Sequence, residues 1–231
     1  MGSDKNPEYI DFWNPVSKIW KEIFNITPVL GLIGDEESEL EETDFGLVKK
    51  FKVIENVNIG LQSQVVRLFL PKFLDEICLM SDIDMIPLSK KYFEENSKYI
   101  EEDNMVIFSS NNPQTINEKM YPICYVGAHS NTYKKVFELD TDWDIFCHKL
   151  SERNEKWYTD QKFLFEKSSD FNLQTNKLIL LERKWGNNRV DRSNWSYNPE
   201  LIKEGYYIDC HSLRPYNIYK SEIDKLIESI C

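Results

Sequence analysis

Apolar residues along this chain fall into two rhythms that alternate through its first half. One is the short unbroken run, at 28–33 (closed by Gly34) and 77–80, which predicts buried strands, with a further strand predicted over 48–54. The other repeats every three or four residues. Phe12, Val16, Ile19, Trp20 and Ile23 predict an amphipathic helix over 11–24, with Pro15 near its first turn. Val65, Val66, Leu68, Phe69 and Leu70 predict a second over 62–74. Further strands are predicted at 105–109, 123–127, 178–181 and 206–210, and further helices at 131–138, 143–150, 159–167 and 221–230. This alternation predicts an α/β fold, a mostly parallel, Rossmann-like central sheet flanked by helices, with a more irregular second half. No repeat or low-complexity linker interrupts the chain, so one domain over 1–231 is the simplest organisation.

Composition narrows function more than fold. The formal net charge is -11 and no basic cluster offsets it, which argues against nucleic acid and anionic membrane surfaces as partners. Seven of the 39 acidic residues lie in the run 35–44, expected as a solvated surface loop. Cys78, Cys124, Cys147, Cys210 and Cys231 are odd in number and form no CxxC pair, which predicts thiols rather than disulfides or a zinc cluster. Cys78, Cys124 and Cys210 lie in apolar stretches and read as small core residues. No apolar stretch approaches the ~18 residues of a membrane span, and no signal-peptide pattern opens the chain. The expectation is a soluble cytoplasmic protein.

Chemistry concentrates where the strand at 77–80 runs out, at Asp82-Ile83-Asp84, ahead of Pro87. Ligands of parallel α/β sheets sit outside the carboxyl ends of the strands. Two carboxylates there can hold Mn2+ or Mg2+ while the ion grips substrate phosphates. The same spacing recurs at Asp140, Asp142 and Asp144, but these open a helix, and Phe146 and Ser151 stand where a calcium loop needs Gly and Glu. They are expected to be structural. His211 follows the strand at 206–210, and an imidazole beside two carboxylates would complete a metal site and tilt it toward Mn2+. Arg214, three residues on, has the fork geometry that matches a diphosphate. Asp160, close behind Trp157, could serve as a general base toward a sugar hydroxyl, hold an acceptor, or cap a helix. Gly127-Ala128 reads as a small-residue turn that a ligand could approach closely, or as a plain turn.

Taken in order, the helix at 62–74, Asp82-Ile83-Asp84, Gly127-Ala128, Thr159-Asp160-Gln161 and His211-Ser-Leu-Arg214-Pro-Tyr216 resemble the GT-A class of nucleotide-sugar-dependent glycosyltransferases. The likeness is to the small soluble members found in large DNA viruses and bacteria. It implies a GT-A fold with a nucleotide-sugar-binding half over 1–110 and an acceptor-binding half over 111–231. It also implies a nucleoside diphosphate sugar donor of UDP or GDP type, and a glycan or other hydroxyl acceptor. Asp84 would ligate the metal, Asp82 would contact the ribose or the metal, and His211 would be the distal ligand. Arg67 would touch the nucleotide sugar, Ser3-Asp4 would open the loop that holds base and ribose, and Gly127, Ala128 and Trp157 would border the acceptor. The chain departs from the pattern in three ways, one being that it shows no Glu-Asp pair of the kind some inverting members use, which leaves Asp160 as the best base candidate. Only Met1 and Gly2 precede Ser3, so the expectation is a truncated first strand or a sheet built differently. Arg214 also replaces the family's usual Gly-x-x-Lys-Pro-Trp continuation after the histidine.

Two other classes fit parts of the pattern. An Asp-x-Asp phosphohydrolase would use the pair as nucleophile and acid, but wants Thr or Val where Ile86 stands. A non-catalytic nucleotide- or sugar-binding module would keep the same pocket without the chemistry.

Overall fold

Two glycines let a helix lie directly on strand backbone, and that close approach sets the first layer of the molecule. A Cβ on Gly2 would fall 2.5 Å from the Ser63 carbonyl oxygen, and one on Gly31 would fall 2.7 Å from a Val66 methyl. Gly2 belongs to strand β1 (Gly2–Ser3), Gly31 to β2 (Val29–Gly34), and Ser63 and Val66 to the helix α3 (Ile59–Phe69). The computed structural model describes residues 1–111, 117–183 and 188–230.

Before β2 come two short helices, α1 (Pro7–Ile10) and α2 (Trp13–Glu22), in place of one helix over 11–24. Beyond β2, β3 (Leu40–Glu42) pairs antiparallel with β4 (Leu47–Lys52), so the acidic run is only partly loop, and Glu41 and Glu42 line a sheet edge. The first sheet has the order β1-β2-β4-β3. The helix α3 is capped by Asn58, whose side chain accepts the Leu61 N–H at 3.1 Å. It tightens into a 3-10 turn at Leu70–Phe73, where Pro71 can no longer serve a helical hydrogen bond.

A second four-stranded sheet, β5-β8-β7-β9, comprises β5 (Ile77–Met80), β7 (Met105–Ile107), β8 (Val126–His129) and β9 (Leu178–Leu180). Here β8 runs antiparallel to both of its neighbours. A third, small sheet joins β10 (Arg189–Asp191), β11 (Asp209–His211) and β6 (Met85–Pro87). The protein is therefore mixed α/β, and the expectation of one mostly parallel sheet needs correction. Four of the eight strand pairings are antiparallel among the described residues. A strand buried on both faces shows the same apolar run in either direction, so the sequence pattern carries no sense of direction.

Helices α4 (Lys90–Ser97), α5 (Ser130–Val136), α6 (Trp143–Ser151), α7 (Thr159–Thr175), α8 (Pro199–Lys203) and α9 (Lys220–Glu228) cover the sheets. Asp142 takes the N-cap position of α6 and Asp144 its first turn, the structural placement expected of that acidic copy, although the Asp142 side chain makes no capping bond. The apolar residues form two clusters. One gathers Trp20, Phe93 and Tyr125 with Cys210 and Leu226, and the other gathers Phe51, Phe69, Phe146 and Phe163. Both clusters draw on residues from before and after position 110, so packing does not divide the chain into the two halves. Cys78, Cys124, Cys147 and Cys210 are free thiols, and burial pushes Cys78 and Cys124 each up to about 11. Cys231 lies outside the described residues. No helix among the described residues is long and apolar enough to cross a membrane.

Candidate functional site

The link between β5 and β6 is four residues long, Ser81 to Asp84, and its apolar member decides how the acids point. Ile83 is 3% exposed and packs into the first cluster, anchoring the link between the two carboxylates. Because β6 begins at Met85 and pairs antiparallel with β11, His211 lies opposite Met85. The Ser212 N–H donates to the Asp84 carbonyl at 3.1 Å and fixes that register. The outcome is a separation of 3.7 Å between the His211 Nε2 and the Asp84 Oδ2.

On its other side the His211 Nδ1 lies 3.2 Å from the Asp191 Oδ2. Arg192 spans the first pair, with one guanidinium nitrogen 3.0 Å from the Asp84 Oδ2 and the other against the His211 Nε2. A guanidinium only donates, so Nε2 accepts and the ring proton sits on Nδ1, where it donates to Asp191. Arg214 completes the ring around Asp84, its Nε 3.7 Å from Oδ2. Its guanidinium stacks over the Tyr9 ring at 4.8 Å and donates to the Tyr9 hydroxyl, which brings α1 to the border of the site.

Asp82 has its ion pair elsewhere. It pairs with Arg67, whose other guanidinium nitrogen pairs with Asp160 in the first turn of α7. The three groups sit at the seam of α3, α7 and the β5 exit. Burial works to raise Asp82, but the Arg67 guanidinium outweighs it and holds the carboxyl below its ordinary range. For Asp160, which is 1% exposed, burial wins over Arg67 and the carboxyl is raised. One arginine thus holds two carboxylates whose surroundings drive them apart.

Several expectations for individual residues change in this setting. Arg67, with its side chain 11% exposed, is paired with both Asp82 and Asp160. Asp160 is sealed beneath it and is not poised at an open face. Gly127 and Ala128 are no turn. They pair with Leu79 and Cys78 inside β8 and are buried, and a Cβ on Gly127 would fall 2.4 Å from the Ile100 Cδ1. Their small size serves packing, not an acceptor. Trp157, by contrast, is 58% exposed on the turn before α7, and Gln64 of α3 holds its carbonyl at 3.4 Å. Ser3 is buried at the end of β1, and Asp4 accepts the Asn6 N–H at 2.9 Å in the turn that leads to α1 and Tyr9. Asp191 and Arg192 were absent from the sequence reading.

The donors present can be weighed against a divalent cation. No group of three His, Cys, Asp or Glu side chains among the described residues is arranged to hold a metal ion by itself. What converges is Asp84 and His211, at a spacing that one ion bonded at ~2.1 Å to each can span. His211 also has its second nitrogen fixed by a carboxylate, the arrangement that orients metal-binding imidazoles. Mg2+ and Mn2+ sites commonly use one or two protein ligands and take the remainder from phosphates and water. The residues fit such an ion, and Asp82 would join only by leaving Arg67. Compared with known proteins, the chain matches no family model and no curated sequence.

Proposed function

We propose that this protein is a metal-dependent glycosyltransferase that moves a sugar from a nucleoside diphosphate sugar, of UDP or GDP type, to a hydroxyl acceptor on a glycan. The observation that carries the proposal is the Asp84–His211 pair at the carboxyl end of β5, with Asp191 behind the imidazole and two arginines around the acid. A bound Mn2+ or Mg2+ would neutralise the charge that builds on the departing diphosphate. Arg192 and Arg214, each with a side chain 26% exposed, are placed to take phosphate oxygens. Tyr9 orients Arg214, and Asp191 holds the His211 ring through Nδ1. Trp157 offers an exposed ring against which a sugar or base could stack.

The test is thermal stability with UDP or GDP plus Mn2+. At a hundredfold excess over Kd, binding adds about 2.7 kcal/mol, which for a chain of this size raises Tm by about 5–10 °C. No shift with either nucleotide would end the proposal. One observation favours a second reading, a binding module without catalysis: Asp160, the base expected from sequence, is sealed and paired with Arg67. Donor hydrolysis separates the two. An enzyme loses it in Asp84→Ala, and a binder shows the same background rate in both proteins.

A further inference from the structure

Arg192 holds the one position that joins Asp84 to His211. Its backbone leaves little choice in this. The Arg192 N–H donates to the His211 carbonyl at 3.0 Å, directly after the register pair Asp191 and His211. The Asp191 carboxylate accepts the Ser193 N–H at 2.9 Å, and the Asn194 N–H donates to the Asp191 carbonyl at 3.0 Å, closing a tight turn around the arginine. From that turn the guanidinium reaches across β11 and lies against both the Asp84 Oδ2 and the His211 Nε2. Those are the two atoms the preceding section assigns to a divalent cation.

From this overlap we infer that Arg192 is an exchangeable latch: it and the metal ion compete for Asp84 and His211, and metal binding releases its guanidinium toward the diphosphate. The inference rests on the proposed metal–diphosphate reading of the site. The chemistry is an exchange of cations. Without metal, the guanidinium is the nearer of two cationic partners, at 3.0 Å against 3.7 Å for Arg214, of a carboxylate that is 5% exposed. When a divalent ion takes those two ligands, the cationic fork must leave, and a diphosphate held by the same ion presents the oxygens that fit it. Metal alone has to displace the latch without recompense. Metal with nucleotide gives the latch a new partner. The two ligands therefore bind cooperatively, with reciprocal coupling.

The experiment is titration of Mn2+ into the full chain, with and without UDP and GDP, read as free Mn2+ by electron paramagnetic resonance. It compares wild type with Arg192→Met, Arg192→Lys and Arg214→Met. The latch predicts that Arg192→Met binds Mn2+ alone on the order of tenfold more tightly than wild type, and that nucleotide then tightens Mn2+ less than it does in wild type. Arg192→Lys, which keeps the charge but cannot bridge two atoms, falls between. Arg214→Met removes an equal charge near Asp84 without touching His211, and gains less than Arg192→Met. Equal gains in the Arg192→Met and Arg214→Met proteins would reduce the effect to net charge and overturn the latch, as would unchanged or weaker Mn2+ binding by Arg192→Met. If wild type binds Mn2+ but shows no nucleotide coupling, the latch fails while a metal site stands. If it binds neither Mn2+ nor nucleotide, both fail.

Discussion

The Asp209→Asn substitution tests how the small sheet is held in place. Asp209 opens β11, two residues before His211, and is fully buried. Arg183 donates to it at 3.0 and 2.8 Å, and Arg189 donates at 2.8 and 2.7 Å. Burial alone would raise this carboxyl, yet the two guanidinium groups drive it far below the ordinary range. A buried ion network is weak support for stability as a whole, but removal of one member leaves the rest uncompensated and costs ~3–5 kcal/mol. Asparagine keeps the shape, loses the charge and turns an NH2 toward a cation. With a urea m-value near ~3 kcal/mol per molar, the unfolding midpoint should fall by about 1–1.7 M. The sign of the pH dependence follows from the lowered pKa. The stabilisation is complete above the unfolded carboxylate value near ~4 and is lost only as pH falls toward the much lower folded value. The gap between wild type and variant should therefore stay level from about pH 5 to 8. Urea melts across that range are the assay. A midpoint shift under ~0.3 M, which is less than ~1 kcal/mol, would refute the reasoning.

The Arg67→Met protein should show an altered stability profile, because Asp82 and Asp160 respond to pH with opposite signs. Asp82 is lowered and contributes stability that disappears in acid, whereas Asp160 is raised and costs stability as pH climbs above ~4. Without Arg67 both carboxyls rise, so the urea midpoint should drop more steeply between pH 5 and 8 than in wild type, and an unchanged slope would count against the pairing. Gly127→Ala should cost ~1–3 kcal/mol by overpacking, because the new methyl meets the Ile100 Cδ1. In an Ile100→Ala background the same change should cost much less, and a double-mutant cycle without coupling would remove Ile100 from the explanation.

What the sequence conveyed about the site depended on whether a functional residue sat next to an apolar strand. Asp82 and Asp84 end an unbroken apolar run, and His211 follows Tyr206-Tyr207-Ile208, so all three could be read as lying at strand ends. Asp191 and Arg192 could not, because β10 is only three residues long and two of those are charged. A signal was nonetheless present. Asp191 two residues before Ser193 is the spacing of an aspartate turn, and Arg189-Val190-Asp191 alternates around one buried residue. Gly127 misled for a physical reason: glycine marks both turns and close approaches of packed elements, and the sequence does not say which applies. Arg67 was placed correctly on a helix leading into the site. Its commitment to two acids, one of them 93 residues away, is a tertiary fact that no local pattern encodes.

The sequence distance between partners also governs when the site comes into being. Asp84 and Arg192 lie 108 residues apart, yet two strand pairings of three residues each, β10 with β11 and β11 with β6, bring their segments together. Loop-closure entropy must be met before so distant a contact returns anything, so such contacts form late in folding. A chain emerging from the ribosome has Asp84 long before it has His211 or Arg192 to set beside it, whereas Asp82 finds Arg67 already made. Until β11 docks, Asp84 has neither the His211 ring nor the Arg192 guanidinium beside it. The Asp84–His211 pairing is thus a property of the finished molecule, and it forms only once the last third has folded.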